Sequence, residues 1–134
     1  MNGWLLDTNV VSASMKRAPD PRIRAWLSKQ PEADVYLSAF VFAELGKGIA
    51  KLEALGDPDA RRLTEVTAAI RERYDERILP IDDRVLAHWG RIAGTAAARG
   101  VTLSGIDLIM GATALVHGLA LATRNVKHFP DIVG

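Results

Sequence analysis

At 134 residues, with 49% hydrophobic and 25% charged side chains, the chain has the size and balance of one soluble domain with room for a real core. It has no cysteine, which excludes a disulfide framework and a thiolate metal site. A formal net charge of +1 gives no global attraction for nucleic acid, and the absence of a signal-like start or a membrane-length apolar run points to a cytoplasmic protein with no membrane role.

Trp4-Leu5-Leu6 is a short apolar run that stops at Asp7, Thr8 and Asn9 before apolar spacing resumes at Val10. This reads as a buried strand delivering a carboxylate to its C-terminal end and turning into a helix that runs to about Met15. Ligands bind beyond such strand ends in open α/β sheets, although capping of the helix explains the same residues. Lys16-Arg17-Ala18-Pro19-Asp20-Pro21 breaks the helix. Ile23, Trp26 and Leu27 then predict a helix over Pro21 to Lys29, and Val35-Tyr36-Leu37 a second strand.

From Ser38 to about Leu55, the stripe of Val41, Leu45, Ile49, Leu52 and Leu55 predicts a long amphipathic helix closed by Gly56-Asp57-Pro58. Asp59 to about Tyr74 is another, carrying Leu63, Val66, Ala69, Ile70 and Arg73. Its outer face (Arg61, Arg62, Arg71, Arg73 and Arg77 among Glu65, Glu72, Asp75 and Glu76) reads as a solvated mixed-charge surface. Ile78-Leu79-Pro80-Ile81 predicts a third strand, and Asp82-Asp83 caps a helix ending near Arg99-Gly100. Ser104 opens a helix reaching His117-Gly118, Leu119 to Thr123 is the last strand, and Arg124 to Phe129 is a polar turn. Strands alternating with helices predict an α/β fold, a single domain over 1-134 whose parallel sheet is covered by helices on both faces.

The acids inside apolar sequence carry the most information, because a charge goes inside only with a partner. Glu44 is the only charge between Ser38 and Gly46; it reads equally as a surface glutamate paired with Lys47 or Lys51. Asp107 is the only formal charge between Gly105 and Gly118, in a helix apolar almost all round, and Ser104 with Asp107 also forms a capping box. Asn125 follows the last strand as Asp7 follows the first, and suits a turn equally well. His128 reads as a base, a ligand or a plain surface histidine. Clustered carboxylates repel unless protonated or bridged by a cation. All-oxygen donors point to Mg²⁺ or Mn²⁺ rather than zinc, one ion or two, and suit metal-assisted phosphodiester hydrolysis.

Leu5-Leu6-Asp7-Thr8-Asn9, Ala43-Glu44-Leu45, Asp107-Leu108-Ile109-Met110-Gly111-Ala112-Thr113-Ala114 and Thr123-Arg124-Asn125-Val126-Lys127-His128-Phe129, in that order, resemble the motifs of PIN-domain nucleases. The nearest resemblance is to the VapC-type toxins of bacterial toxin–antitoxin pairs, and it extends over essentially the whole chain, including the Pro80-Ile81-Asp82 strand end. It implies a three-layer α/β/α sandwich around a mainly parallel sheet of four to five short strands. It also implies Mg²⁺ or Mn²⁺ ligation, endoribonuclease activity on RNA, a cognate antitoxin that blocks the groove, a homodimer and a toxin–antitoxin hetero-oligomer.

Carried over, Asp7, Glu44 and Asp107 are metal ligands and Asn125 a fourth catalytic position. Thr8 and Asn9 support them, with Ser38 a weaker candidate for that role. His128 faces the groove without binding the first metal. Many relatives carry an acid within the Asn125 to His128 turn, and this chain has none there, which bears on a second metal and on rate. Arg124 and Lys127 are candidate phosphate contacts. Trp26, Phe40 and Phe42 suit either the core or a groove for an apolar antitoxin helix. A non-catalytic subunit of a partner-bound, DNA-binding regulatory complex is the alternative from another class, and a PIN-type nuclease acting on structured DNA or maturing stable RNA a third.

Overall fold

The protein is described by a computed structural model, over residues 3–123. The first strand, β1 (Trp4–Leu6), passes at Asp7 into α1 (Thr8–Met15), followed by α2 (Pro21–Ser28) and β2 (Val35–Ser38). Helices α3 (Ala39–Ala54) and α4 (Asp59–Arg73) lead to β3 (Ile78–Leu79); α5 (Asp83–Ala98) and α6 (Gly105–His117) lead to β4 (Ala120–Ala122). Five of the six described helices start at a short polar cap, and α4 starts after Pro58 without a side-chain cap. Asp7, Asp20, Ser38, Asp82 and Ser104 each accept a backbone N–H at their N-cap, the role short polar side chains fill best. Gly118 ends α6 in the left-handed region that glycine tolerates without penalty.

All pairings among the described strands are parallel, in the order β3-β2-β1-β4. The chain steps from β1 outward to β2 and β3, then returns across the sheet to β4. Right-handed crossovers therefore lay α1 to α4 on one face and α5 and α6 on the other. The packing agrees: α3 sits on α4 and α1, while α5 and α6 pack on each other. The core lies between, with Leu5, Leu37, Val41 and Met110 fully buried from four different elements.

Three expectations are corrected. The third strand stops at Leu79 rather than Ile81, because Pro80 has no N–H to give the ladder. The apolar stripe of α3 fades toward its end, where Leu55 is 71% exposed as the C-cap residue. The charged face of α4 is not simply solvated. Arg62 donates to Asp59 and to the Met15 carbonyl, and Arg77, just beyond α4, ties the Val35, Glu32 and Arg73 carbonyls together. Arg71 stacks 4.1 Å above the Phe42 ring.

Candidate active site

The strand order reverses between β1 and β4, and a crevice opens beyond the carboxyl ends of the strands at such a switch point. Asp7 and Thr123 stand there, each directly after its strand. The Asp7 N–H donates to the Ala122 carbonyl at 2.9 Å. Its Oδ1 accepts from the Thr8 N–H at 2.8 Å, and its Oδ2 accepts from Thr123 Oγ1 at 2.7 Å. The carboxylate is 4% exposed and pinned from both strands, yet two donors leave lone-pair sites on its oxygens.

Glu44 arrives from the second turn of α3, half-buried, and Thr8 Oγ1 donates to its Oε1. It forms no ion pair with Lys47 or Lys51, so the surface-pair alternative does not hold. Asp107 lies in the first turn of α6, 7% exposed, and its N–H donates to Ser104 Oγ at 3.1 Å. The cap half of the capping box is therefore real. It does not take Asp107 out of the site, because Asp7, Glu44 and Asp107 line one open cleft of about 540 Å³ with Thr8, Asn9, Ser12, Ala13, Lys16, Ser104 and Ile106.

Two helix N-termini, of α1 and α6, face this cleft, and their dipoles favour negative charge at Asp7 and Asp107. Lys16 is the one cation among the described lining residues. The carboxylates share the cleft without closing on a common point; among the described residues no three acidic or histidine side chains form a ready-made cage, and Glu44 is engaged by Thr8. The donors are nonetheless all oxygen, and Asn9 Oδ1 is buried on the cleft wall with no hydrogen-bond partner. That set fits a hard divalent cation, which keeps several of its own waters and asks for only one or two carboxylates.

Thr8 and Asn9 line the cleft as expected, whereas Ser38 does not. Its hydroxyl accepts the Phe40 N–H at 3.1 Å as the cap of α3, and the residue is fully buried. Arg124, Asn125, Lys127 and His128 lie outside the described residues. Sequence reasoning missed Ser12, Lys16 and Thr123. The first two had a signal, since Thr8, Ser12 and Lys16 recur at four-residue spacing on one helix face. The hydroxyl of Thr123 mirrors Asp7 across the sheet. Of the aromatic residues, Phe42 is buried in the core, Phe40 is half-buried against it, and Trp26 packs edge-on against Trp4 with ring centroids 5.0 Å apart.

Residues 4–133 match the PIN domain. The chain is 38% identical to Toxin FitB of Neisseria gonorrhoeae, over 93% of this chain and 89% of that one. It is 31% identical to VapC ribonuclease Y4jK of Sinorhizobium fredii, over the same shares. The crystal structure of FitAcB from Neisseria gonorrhoeae superposes with a TM-score of 0.84 at 34% identity, covering 97% of this chain and 93% of its counterpart.

Proposed function

The chain belongs to the PIN-domain family, and from that premise we propose that it is a metal-dependent endoribonuclease toxin, a single PIN domain that hydrolyses RNA phosphodiester bonds until a cognate antitoxin binds it. The observation that carries this reading is the meeting of Asp7, Glu44 and Asp107, from three separate elements, in one cleft at the sheet's switch point. The similarity to a protein named a ribonuclease and to one named a toxin supports the reaction and the biological role.

Asp7, Glu44 and Asp107 would hold Mg²⁺ or Mn²⁺, with Thr8 and Asn9 supporting them and Asn125 as a further catalytic position. When bound, such an ion supplies Lewis acidity to the phosphate and a more acidic water. Thr8 and Thr123 hold the carboxylates of Glu44 and Asp7 in place, so little of the site has to reorganise when RNA enters. Arg124 and Lys127 are proposed phosphate contacts, and His128 a groove residue that does not touch the first ion. A homodimer, a hetero-oligomer with the antitoxin, and a cytoplasmic setting complete the reading. Among the described residues no helix is long and apolar enough to cross a membrane.

The test is cleavage of a mixed cellular RNA pool by the purified chain, with Mn²⁺, with Mg²⁺ and with chelator, beside Asp7→Asn and Asp107→Asn proteins prepared identically. Discrete fragments that need both metal and the native acids are the expected result. Equal cleavage by all three proteins would point to a contaminant. No cleavage by a chain that still binds a partner tightly would favour the non-catalytic subunit.

A further inference from the structure

Where α1 ends beside the cleft, Arg17 and Arg62 have their charge engaged. Arg17 Nη2 meets Asp59 Oδ1 at 3.0 Å. Arg62 holds the same carboxylate oxygen at 2.7 Å and donates to the Met15 carbonyl at 2.8 Å. Lys16 stands between these tied points. The Met15 carbonyl before it is held by Arg62 and the Arg17 side chain after it meets Asp59, whereas Lys16 is exposed and has no ion-pair partner among the described residues. It is the C-cap residue of α1, eight residues on from Thr8 along the helix face that lines the cleft, a rise of about 12 Å.

Lys16 also lines a second depression, of about 380 Å³, floored by Met15, Leu45, Ile49, Leu52 and Leu63. The two cavities share Ser12, Lys16 and Glu44, so they adjoin in one groove: carboxylates line one end, an apolar floor beside the Asp59–Arg62 ion pair lines the other, and Lys16 stands where they meet. We propose that Lys16 is a phosphate-binding residue of this groove, holding the RNA phosphate adjacent to the scissile one. The strand then leaves the carboxylates along the α1 side. This rests on the ribonuclease reading above.

The charge pattern favours the assignment. A cleft bearing three carboxylates repels a polyanion, and a bound ion offsets only part of that at the scissile phosphate. The neighbouring phosphate needs its own counter-charge, and Lys16 is the described cation on this wall with none of its charge already spent on a carboxylate. A flexible stem ending in a compact charge suits a strand that must slide in and out, and the Met15 carbonyl held by Arg62 anchors the end of α1 that carries it.

The test is binding of a single-stranded RNA oligonucleotide, followed by fluorescence anisotropy across a salt series, in an Asp107→Asn background that prevents cutting. Lys16→Gln should weaken binding roughly tenfold at low salt and lower the slope of log affinity against log salt by about 0.7, the share of one phosphate contact on a single strand. Lys16→Arg should restore most of both, and Arg17→Gln, whose charge is engaged by Asp59, should change affinity less than about twofold. In the cutting-competent chain, Lys16→Gln should raise KM with kcat nearly intact. An unchanged salt slope in Lys16→Gln, while the native chain still cleaves RNA, overturns the role of Lys16 alone. Loss of binding to a protein partner with RNA binding intact overturns it in favour of a protein interface. Absence of both RNA binding and cleavage overturns the ribonuclease reading with it.

Discussion

Asp7 has two duties on one carboxylate, and substitutions separate them. Its Oδ1 caps α1 and its Oδ2 takes the Thr123 hydroxyl. Asparagine caps a helix as well as aspartate does, so Asp7→Asn should keep the fold, losing about 1 kcal/mol for the Thr123 bond. Cleavage should fall by at least ~100-fold, more than loss of a supporting residue costs. Asp7→Ala loses the cap as well, a further ~1 kcal/mol; equal melting temperatures for the two variants would show that the cap contributes nothing. Asp107→Asn leaves the backbone N–H that Ser104 accepts untouched and removes one of three neighbouring negative charges. Relief of repulsion is set against the lost interaction with the α6 dipole, so the variant should stay folded with a melting temperature close to native without metal; calorimetry with and without Mn²⁺ measures this, and a large loss without metal would refute it. At this scale the sequence announced the acids, because Asp7, Glu44 and Asp107 are each isolated in apolar surroundings. It did not announce Thr123 as the clamp on Asp7, since that partnership exists only once two strands far apart in the chain lie side by side. Ser38 misled for the opposite reason: its position suits a site residue, but its hydroxyl is used locally by Phe40.

Between elements, arginine clamps tie down part of the solvated surface that the charge pattern suggested, while pairs such as Arg61–Glu65 stay exposed. Asp59, in the first turn of α4, is held down to about 2 chiefly by the hydrogen bond from Arg62, with Arg17 adding to it against the opposing effect of desolvation. A carboxyl lowered on folding contributes stability that is complete above its ordinary value of 3.8 and is lost as pH falls toward 2. The melting-temperature difference between native chain and Asp59→Asn should thus be constant at neutral pH and shrink below about pH 4, remaining modest throughout because the pair is solvent-screened. A difference that does not change on acidification would remove the clamp from the account. Glu32 is lowered in the same way by the hydrogen bond from Arg73, which joins the end of α4 to the turn before β2. Gly3 marks another junction. Its φ is +127°, and a Cβ there would collide with the Asp34 carbonyl oxygen. Gly3→Ala should cost at least ~2 kcal/mol by denaturant unfolding, although nothing in the local sequence but the glycine itself signals it. Helices and caps were legible because their signals are local. The clamps were not, since Arg62 and Arg77 look like any other charged residue on a helical wheel.

Over the whole molecule, the alternation of strands and helices was enough to predict a covered parallel sheet. The strand order was not in that alternation, and the order is what makes the site: only the return across the sheet to β4 sets Thr123 beside Asp7. The Asp7–Thr123 bond joins positions 116 residues apart in the chain. β1 lies in the interior of the sheet, between β2 and β4, and its second neighbour is the last described strand to leave the ribosome. Ordering by such distant contacts comes late in folding. A chain cut short before β4 therefore leaves β1 with one unpaired edge and the Asp7 carboxylate without its Thr123 donor.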